Sequence, residues 1–505
     1  MSNLRRTLTL TAAIASSLTV AAGATVDTRL PDAARVKDTK VVVALINQKS
    51  DVNARASDGS TALLWLAHWN DSEAAELLLR AGADANAVND FGTSPLSEAC
   101  LNGSTDIVRL LLRNHANPNL AIGTGETPLM TCAKTGSTDA VRLLLEAGAA
   151  VNDREQSQNQ TAIMWAAAEK HPVVVKALID AHADAKAHSK QGFSAIHFAA
   201  RVGDLESIKV LLASGVDINL LTKPDGDGGA TAGFTPLLIA TMRAQVDSAL
   251  YLLDHGADPN VLASGMTPLH WAATSWEGFA SNPVYGFEDP MSGIQDRQAK
   301  LRLIKALLVH GANVNARMTK RQPQFATGYV DAGGATAFLL AASVQDVQIM
   351  RLLLDAGADP KIPTATNATA IMAATGLNHG IGESFVTEAQ AREAVNLLLG
   401  LGLDPKGETT FGENALFGPA YRGWNTLLAQ LVDLGVNVNA VSKAGVTPWL
   451  AANGQGDRLG GVLYNQEGAD LLLKHGANPK LGTPCEAQNK CRELKDAPGQ
   501  AKEQQ

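Results

Sequence analysis

"TPLMTCAKTGSTDAVRLLLEAGAAVN", residues 127–152, carries the signals for one complete structural unit. Thr127 has a side-chain oxygen that can accept a backbone N–H at a helix start. Pro128 suits the first helical turn, where its missing N–H costs nothing. The small residues that follow let another helix come close. Leu143, Leu144 and Leu145 give a second helix an apolar side, and Gly148 can end that helix in the left-handed conformation at little cost. The closing Asn-containing segment favours a tight turn. The order is therefore helix, turn, helix, hairpin-like loop.

The opening three letters recur with small changes at Thr61, Ser94, Thr127, Thr161, Ser194, Thr235, Thr267, Thr336, Thr369, Asn414 and Thr447. The first four intervals are 33, 33, 34 and 33 residues. Each start leads into an Ala-rich stretch, then a Leu-rich one, then Gly-Ala-Asp-x-Asn or a relative, as in "AAELLLRAGADAN" (74–86) and "LIKALLVHGANVN" (303–315). Stop glycines fall at Gly82, Gly148, Gly256, Gly311, Gly357 and Gly476. A partial unit, "LPDAARVKDTKVVVALINQKSDVN", precedes the first anchor. One such unit cannot cover its own helix faces, but a stack of neighbours can.

Period, cap and stop glycine together resemble the ankyrin repeat family across residues 30–481. The resemblance implies an all-α solenoid of about twelve helix-turn-helix units with hairpin-like loops and several insertions. Only His197 and His270 occupy the family's signature histidine position, so hydrogen bonding at the other loop bases must differ. The family's concave face, made by inter-unit loops and first helices, implies protein partners.

Later intervals lengthen. Residues 220–234 and 317–335 enlarge loops between units, whereas 274–298, 375–390 and 453–466 separate the two helices of a unit. Two insertions supply the candidate partner-binding residues. One carries Trp276, Phe279, Tyr285 and Phe287; the other carries Lys320, Arg321, Phe325 and Tyr329. Aromatic side chains are favoured interface anchors, and cations beside rings suit carboxylates or aromatics. Packing of the first set over the stack and simple solvation of the second remain the competing readings.

Residues 1–24 read as a cleavable signal peptide: Arg5 and Arg6, an apolar stretch from Leu8 to Val20, and the small-residue site Ala22-Gly23-Ala24. The expected organisation is that signal, a repeat array over 25–481, and a polar tail over 482–505. An exported protein, periplasmic or extracellular, follows. The formal net charge is −8, and losing Arg5 and Arg6 makes the remainder more acidic. That opposes general binding to nucleic acid, and no later stretch reads as a membrane span. Cys100 and Cys132 fall where neighbouring units carry small helix residues and read as buried thiols in place of alanine. Cys485 and Cys491, in a polar tail, read as a possible local disulfide.

Chemistry is otherwise scarce. Asp225 and Asp227 open like a calcium loop, but its twelfth position is Pro236 rather than an acid. No Cys/His cluster marks a metal site. His379, Glu383 and Ser384 lack a nucleophile elbow and an orienting acid. The expectation is a non-enzymatic scaffold without cofactor, monomeric, binding one or more proteins. Two rivals stand beside it: an enzyme or small-ligand receptor whose pocket is built by the insertions in units seven to nine, and a secreted effector acting on host proteins.

Overall fold

A helix pair whose apolar sides point both ways must find neighbours, and every described helix does so. The structure, a computed structural model, describes residues 27–224, 232–274, 294, 296–319, 333–377, 386–455 and 464–483. Helices and loops account for these residues, with one isolated bridge between Arg55 and Thr61. The chain divides into two compact units, Met1–Asn117 and Pro118–Gln505.

In the first unit the pairs are α1 (Arg29–Arg35) with α2 (Thr39–Asn47), α3 (Ala62–His68) with α4 (Ser72–Arg80), and α5 (Pro95–Leu101) with α6 (Thr105–Arg113). The second unit begins with α7 (Pro128–Lys134) and α8 (Thr138–Glu146), α9 (Ala162–Ala168) and α10 (Pro172–Asp180), and α11 (Ala195–Val202) and α12 (Leu205–Ala213). Next come α13 (Pro236–Met242) and α14 (Val246–Asp254), α15 (Pro268–Ala272) and α16 (Arg297–Val309), and α17 (Ala337–Ser343) and α18 (Val347–Asp355). It closes with α19 (Ala370–Ala374) and α20 (Glu388–Gly400), α21 (Phe417–Arg422) and α22 (Asn425–Asp433), and α23 (Pro448–Ala452) and α24 (Gln466–Lys474). Within each unit first helices pack mostly on first helices and second helices on second helices.

The start signals act as read. Thr61, Thr127, Thr235, Thr336, Thr369 and Thr447 each accept the N–H three residues on. Thr161 is an exception whose hydroxyl makes no cap bond. At Asn414 the helix begins late, because its side chain accepts from Leu416 N and donates to Asn437 O instead. All six stop glycines named from the sequence have positive φ. Of each Leu triplet only the middle residue is fully buried; Leu78, Leu144 and Leu353 are inaccessible while Leu77 is exposed. Two second helices, α16 and α20, reach thirteen residues instead of nine. Asp296 and Thr387 cap them, so the last residues assigned to the insertions 274–298 and 375–390 belong to helices.

The thiol reading of two cysteines is corrected. Cys100 and Cys132 are fully buried in small-residue positions as expected, but both are disulfide-bonded. Bond formation depends on the approach of two Cα atoms, which a helical pattern does not report. Cys485 and Cys491 lie outside the described residues.

The Gly-Ala-Asp-x-Asn segment does more than turn. Its Asp or Asn accepts the N–H two residues on, as Asp84 does from Asn86 and Asp258 from Asn260. The final Asn then reaches the next helix pair. Asn53 donates to Gly82 O and accepts from Asp84 N. Asn119, Asn260, Asn315 and Asn439 repeat the bridge to Gly148, Gly311, Gly357 and Gly476 and to the N–H groups two residues beyond. Each bridge satisfies one carbonyl left over at a helix end. Lysine occupies this place at Lys186, Lys361 and Lys406.

Replacing Asn260 by Ala is expected to lower stability to urea by ~1 kcal/mol, since two solvated hydrogen bonds are lost. Lys186→Asn is expected to raise it by up to about 1 kcal/mol, by restoring a bridge to the following unit. An unchanged midpoint in both variants would refute the bridge as a source of stability.

Candidate functional site

Hairpin loops and first helices meet in the second unit around one pocket. Glu155 fixes the loop ahead of α9. Its buried carboxylate accepts the N–H groups of Ser157, Gln158 and Gln160 at 2.6, 2.8 and 2.9 Å. The loop ahead of α11 closes when Ser189 N–H donates to Phe193 O and Phe193 N–H donates to Ser189 Oγ. That ahead of α13 closes through Thr222 N–H to Phe234 O and Phe234 N–H to Thr222 Oγ1. Single backbone bonds join them: Lys190 N–H to Gln158 O at 2.8 Å and Lys223 N–H to Gly192 O at 3.1 Å. Gly192 has φ +84°, and a Cβ there would stand 2.3 Å from the backbone of Lys223. The close approach of these two loops therefore requires glycine.

His197 locks α11 to the loop that follows α12. Its Nδ1 accepts from Ser194 N–H and hydroxyl at 3.1 and 2.9 Å, and Nε2–H donates to Leu220 O at 2.9 Å. His270 repeats the arrangement with Thr267 and Ala316 O. These partners fix the neutral Nε2–H tautomer. Burial is the main cause that pushes each imidazole down to about 4, against the favourable carbonyl contacts. In the other units the same position holds an apolar side chain, such as Met130, Met164, Leu238 and Met372, or a Ser at Ser97. The signature histidine is thus replaced by core packing.

The pocket's floor is apolar: Phe193, Phe198, Phe234, Ile239 and Met242. Phe193 and Phe198 lie 5.9 Å apart between ring centroids. The rim carries Gln158, Gln160, Gln191, Arg201 and Arg243. Among the described residues that line it, none is acidic. Its volume is about 100 Å³, which is room for roughly three waters and less than the roughly 300–1,000 Å³ of small-ligand sites. A single side chain is the scale of guest it can take.

None of the residues singled out from the insertions enters this account. Trp276, Phe279, Tyr285, Phe287, Lys320, Arg321, Phe325 and Tyr329 lie outside the described residues, as do Asp225, Asp227, His379, Glu383 and Ser384. The feet of one insertion are described: Met318 N–H donates to Ala335 O, and Gly334 N–H to Met318 O. Sequence reading missed the pocket residues because it followed the loops. Comparing units column by column would have found Phe198 and Ile239. Trp165, Phe198, Ile239, Trp271 and Leu340 all stand four residues after their caps, an apolar series across five consecutive units. Among the described residues no group of three or more His, Cys, Asp or Glu could hold a metal ion, and no helix is long and apolar enough to cross a membrane.

Family models agree with this architecture. The family model "Ankyrin repeats (3 copies)" matches residues 30–122, 67–155, 114–189 and 196–280, and "Ankyrin repeat" matches 333–365. Protein PhlB of Serratia liquefaciens is 36% identical over 122 residues, 24% of this chain and 51% of that protein. The B-cell lymphoma 3 protein homolog of Mus musculus is 28% identical over 229 residues, 45% of this chain and 42% of that protein. The chain thus spans about half or less of these relatives. The human ASB11 ankyrin repeat domain aligns with 46% of this chain and 98% of its own at 23% identity, with a TM-score of 0.39.

The two histidines predict an acid-sensitive second unit. The unfolded chain binds a proton at each imidazole near pH 6.5, the folded chain only near pH 4. Stability is fully present above that interval and falls as pH drops through it, by on the order of 3 kcal/mol per histidine. Urea titrations from pH 7 to 4 should show this slope and a shallower one in His197→Gln/His270→Gln; equal slopes would refute it.

Proposed function

Because this chain belongs to the ankyrin-repeat family, we propose that it is an exported scaffold that holds a partner protein against the hairpins and first helices of its second unit. Ankyrin repeats typically mediate protein–protein interaction, and proteins built from them are generally non-enzymatic scaffolds. The observation that carries the specific reading is the pocket formed by α11, α13 and the loop ahead of α9, whose apolar floor and polar rim have the scale of one anchoring side chain. A rigid surface of this kind orders little on binding, so a few anchors can supply most of the affinity.

Two features support export. Residues 1–24 have the pattern of a cleavable signal. Cys100 and Cys132 are both disulfide-bonded, a state that persists in oxidising compartments and is rare in the cytosol.

Protein recovered from the producing cells is expected to begin near Thr25. Alkylation before reduction is expected to leave Cys100 and Cys132 unlabelled. Recovery from the cytosol with residues 1–24 retained and both thiols labelled would overturn the export reading. For the scaffold reading, crosslinking at Gln158 or Gln191 with a photoreactive side chain should trap a protein partner, and the same group at the exposed back of α10, at Val173, should not. Equal trapping at both places would overturn the assigned surface.

A further inference from the structure

We infer that the pocket formed by α11, α13 and the loop ahead of α9 recognises an acidic protein segment, in which a carboxylate lies next to a bulky apolar side chain. The inference rests on the reading of this face as the recognition surface and adds the chemistry of its guest.

The charge pattern carries the argument. The chain has 50 acidic and 42 basic residues, yet the described residues that line this pocket include two arginines and no acid. Arg201 lies in the last turn of α11 and Arg243 caps the end of α13. Neither arginine is without a partner in the protein. Five N–H donors on each still allow a carboxylate to be gripped in the forked geometry lysine cannot provide. Three glutamine amides, at Gln158, Gln160 and Gln191, stand on the same rim and can donate to or accept from a peptide backbone.

The floor sets the second requirement. Phe193, Phe198, Phe234, Ile239 and Met242 are all nearly inaccessible, so the cavity walls are fixed by packing. A leucine, methionine or phenylalanine side chain entering there displaces waters that find no polar partner on the floor. A carboxylate one or two residues away would then lie over the rim. A free basic or uncharged segment would gain the floor but not the arginines.

The test pans a library of random twelve-residue peptides displayed on phage against the full chain. Recovered peptides are then measured by fluorescence anisotropy against three variants. Arg201→Glu/Arg243→Glu reverses the rim. Arg201→Lys/Arg243→Lys keeps its charge without the fork, and remains informative should the reversal prevent folding. Gln191→Trp plugs the pocket from an exposed position. The inference expects peptides enriched in Asp or Glu within two residues of Leu, Met or Phe. Their affinity should fall at least tenfold with the reversed rim and with the plug, and a few-fold with lysines. Peptides lost on plugging but indifferent to both arginine pairs would overturn the acidic guest and leave the recognition surface standing. Peptides indifferent to all three variants would overturn both.

Discussion

A short helix pair exposes more apolar surface than it can cover, and the joint between successive pairs is the constraint on which this structure depends. Within each unit the joints draw on three contacts of different kinds. Buried leucines such as Leu78, Leu144 and Leu353 supply the apolar contact. Hairpin tips exchange one backbone hydrogen bond, as between Asp90 and Asp58 or Lys443 and Phe411. Asparagines such as Asn53 and Asn260 close the far end by satisfying a carbonyl and an N–H of the following pair. The apolar term is non-directional; the two polar ones fix register.

The same division of labour shapes the candidate site. Glu155, Ser189, Thr222 and His197 spend their hydrogen bonds on holding loops in place. That leaves the first helices free to vary at the positions four, seven and eight residues after the cap. In α11 and α13 those positions bring Phe198, Arg201, Ile239, Met242 and Arg243 to one pocket. A fixed frame with variable columns is how one architecture can discriminate between guests without altering its core.

The histidines show how a family feature changes meaning by context. His197 and His270 are buried, neutral anchors for loops. Where methionine or leucine stands instead, the loop base gives up a directional bond and gains packing. The cost of keeping the imidazoles is acid sensitivity, because desolvation holds them unprotonated where the unfolded chain is charged.

The amino-acid sequence by itself determined the helix pairs, their caps, their stop glycines and the places where insertions branch. These follow from contacts within about thirty residues, such as Thr127 with Met130 N or the positive φ of Gly148. It also marked Cys100 and Cys132 as buried, but as thiols rather than the disulfide-bonded residues they are. Only the tertiary structure decided that α16 and α20 begin inside the supposed insertions, that the loop asparagines bridge neighbouring pairs, and that Phe193, Arg201, Phe234 and Arg243 share one pocket. The physical reason is distance along the chain. Local signals report backbone preferences, but a pocket lined from residue 158 to residue 243 exists only after three helix pairs have packed and set their spacing.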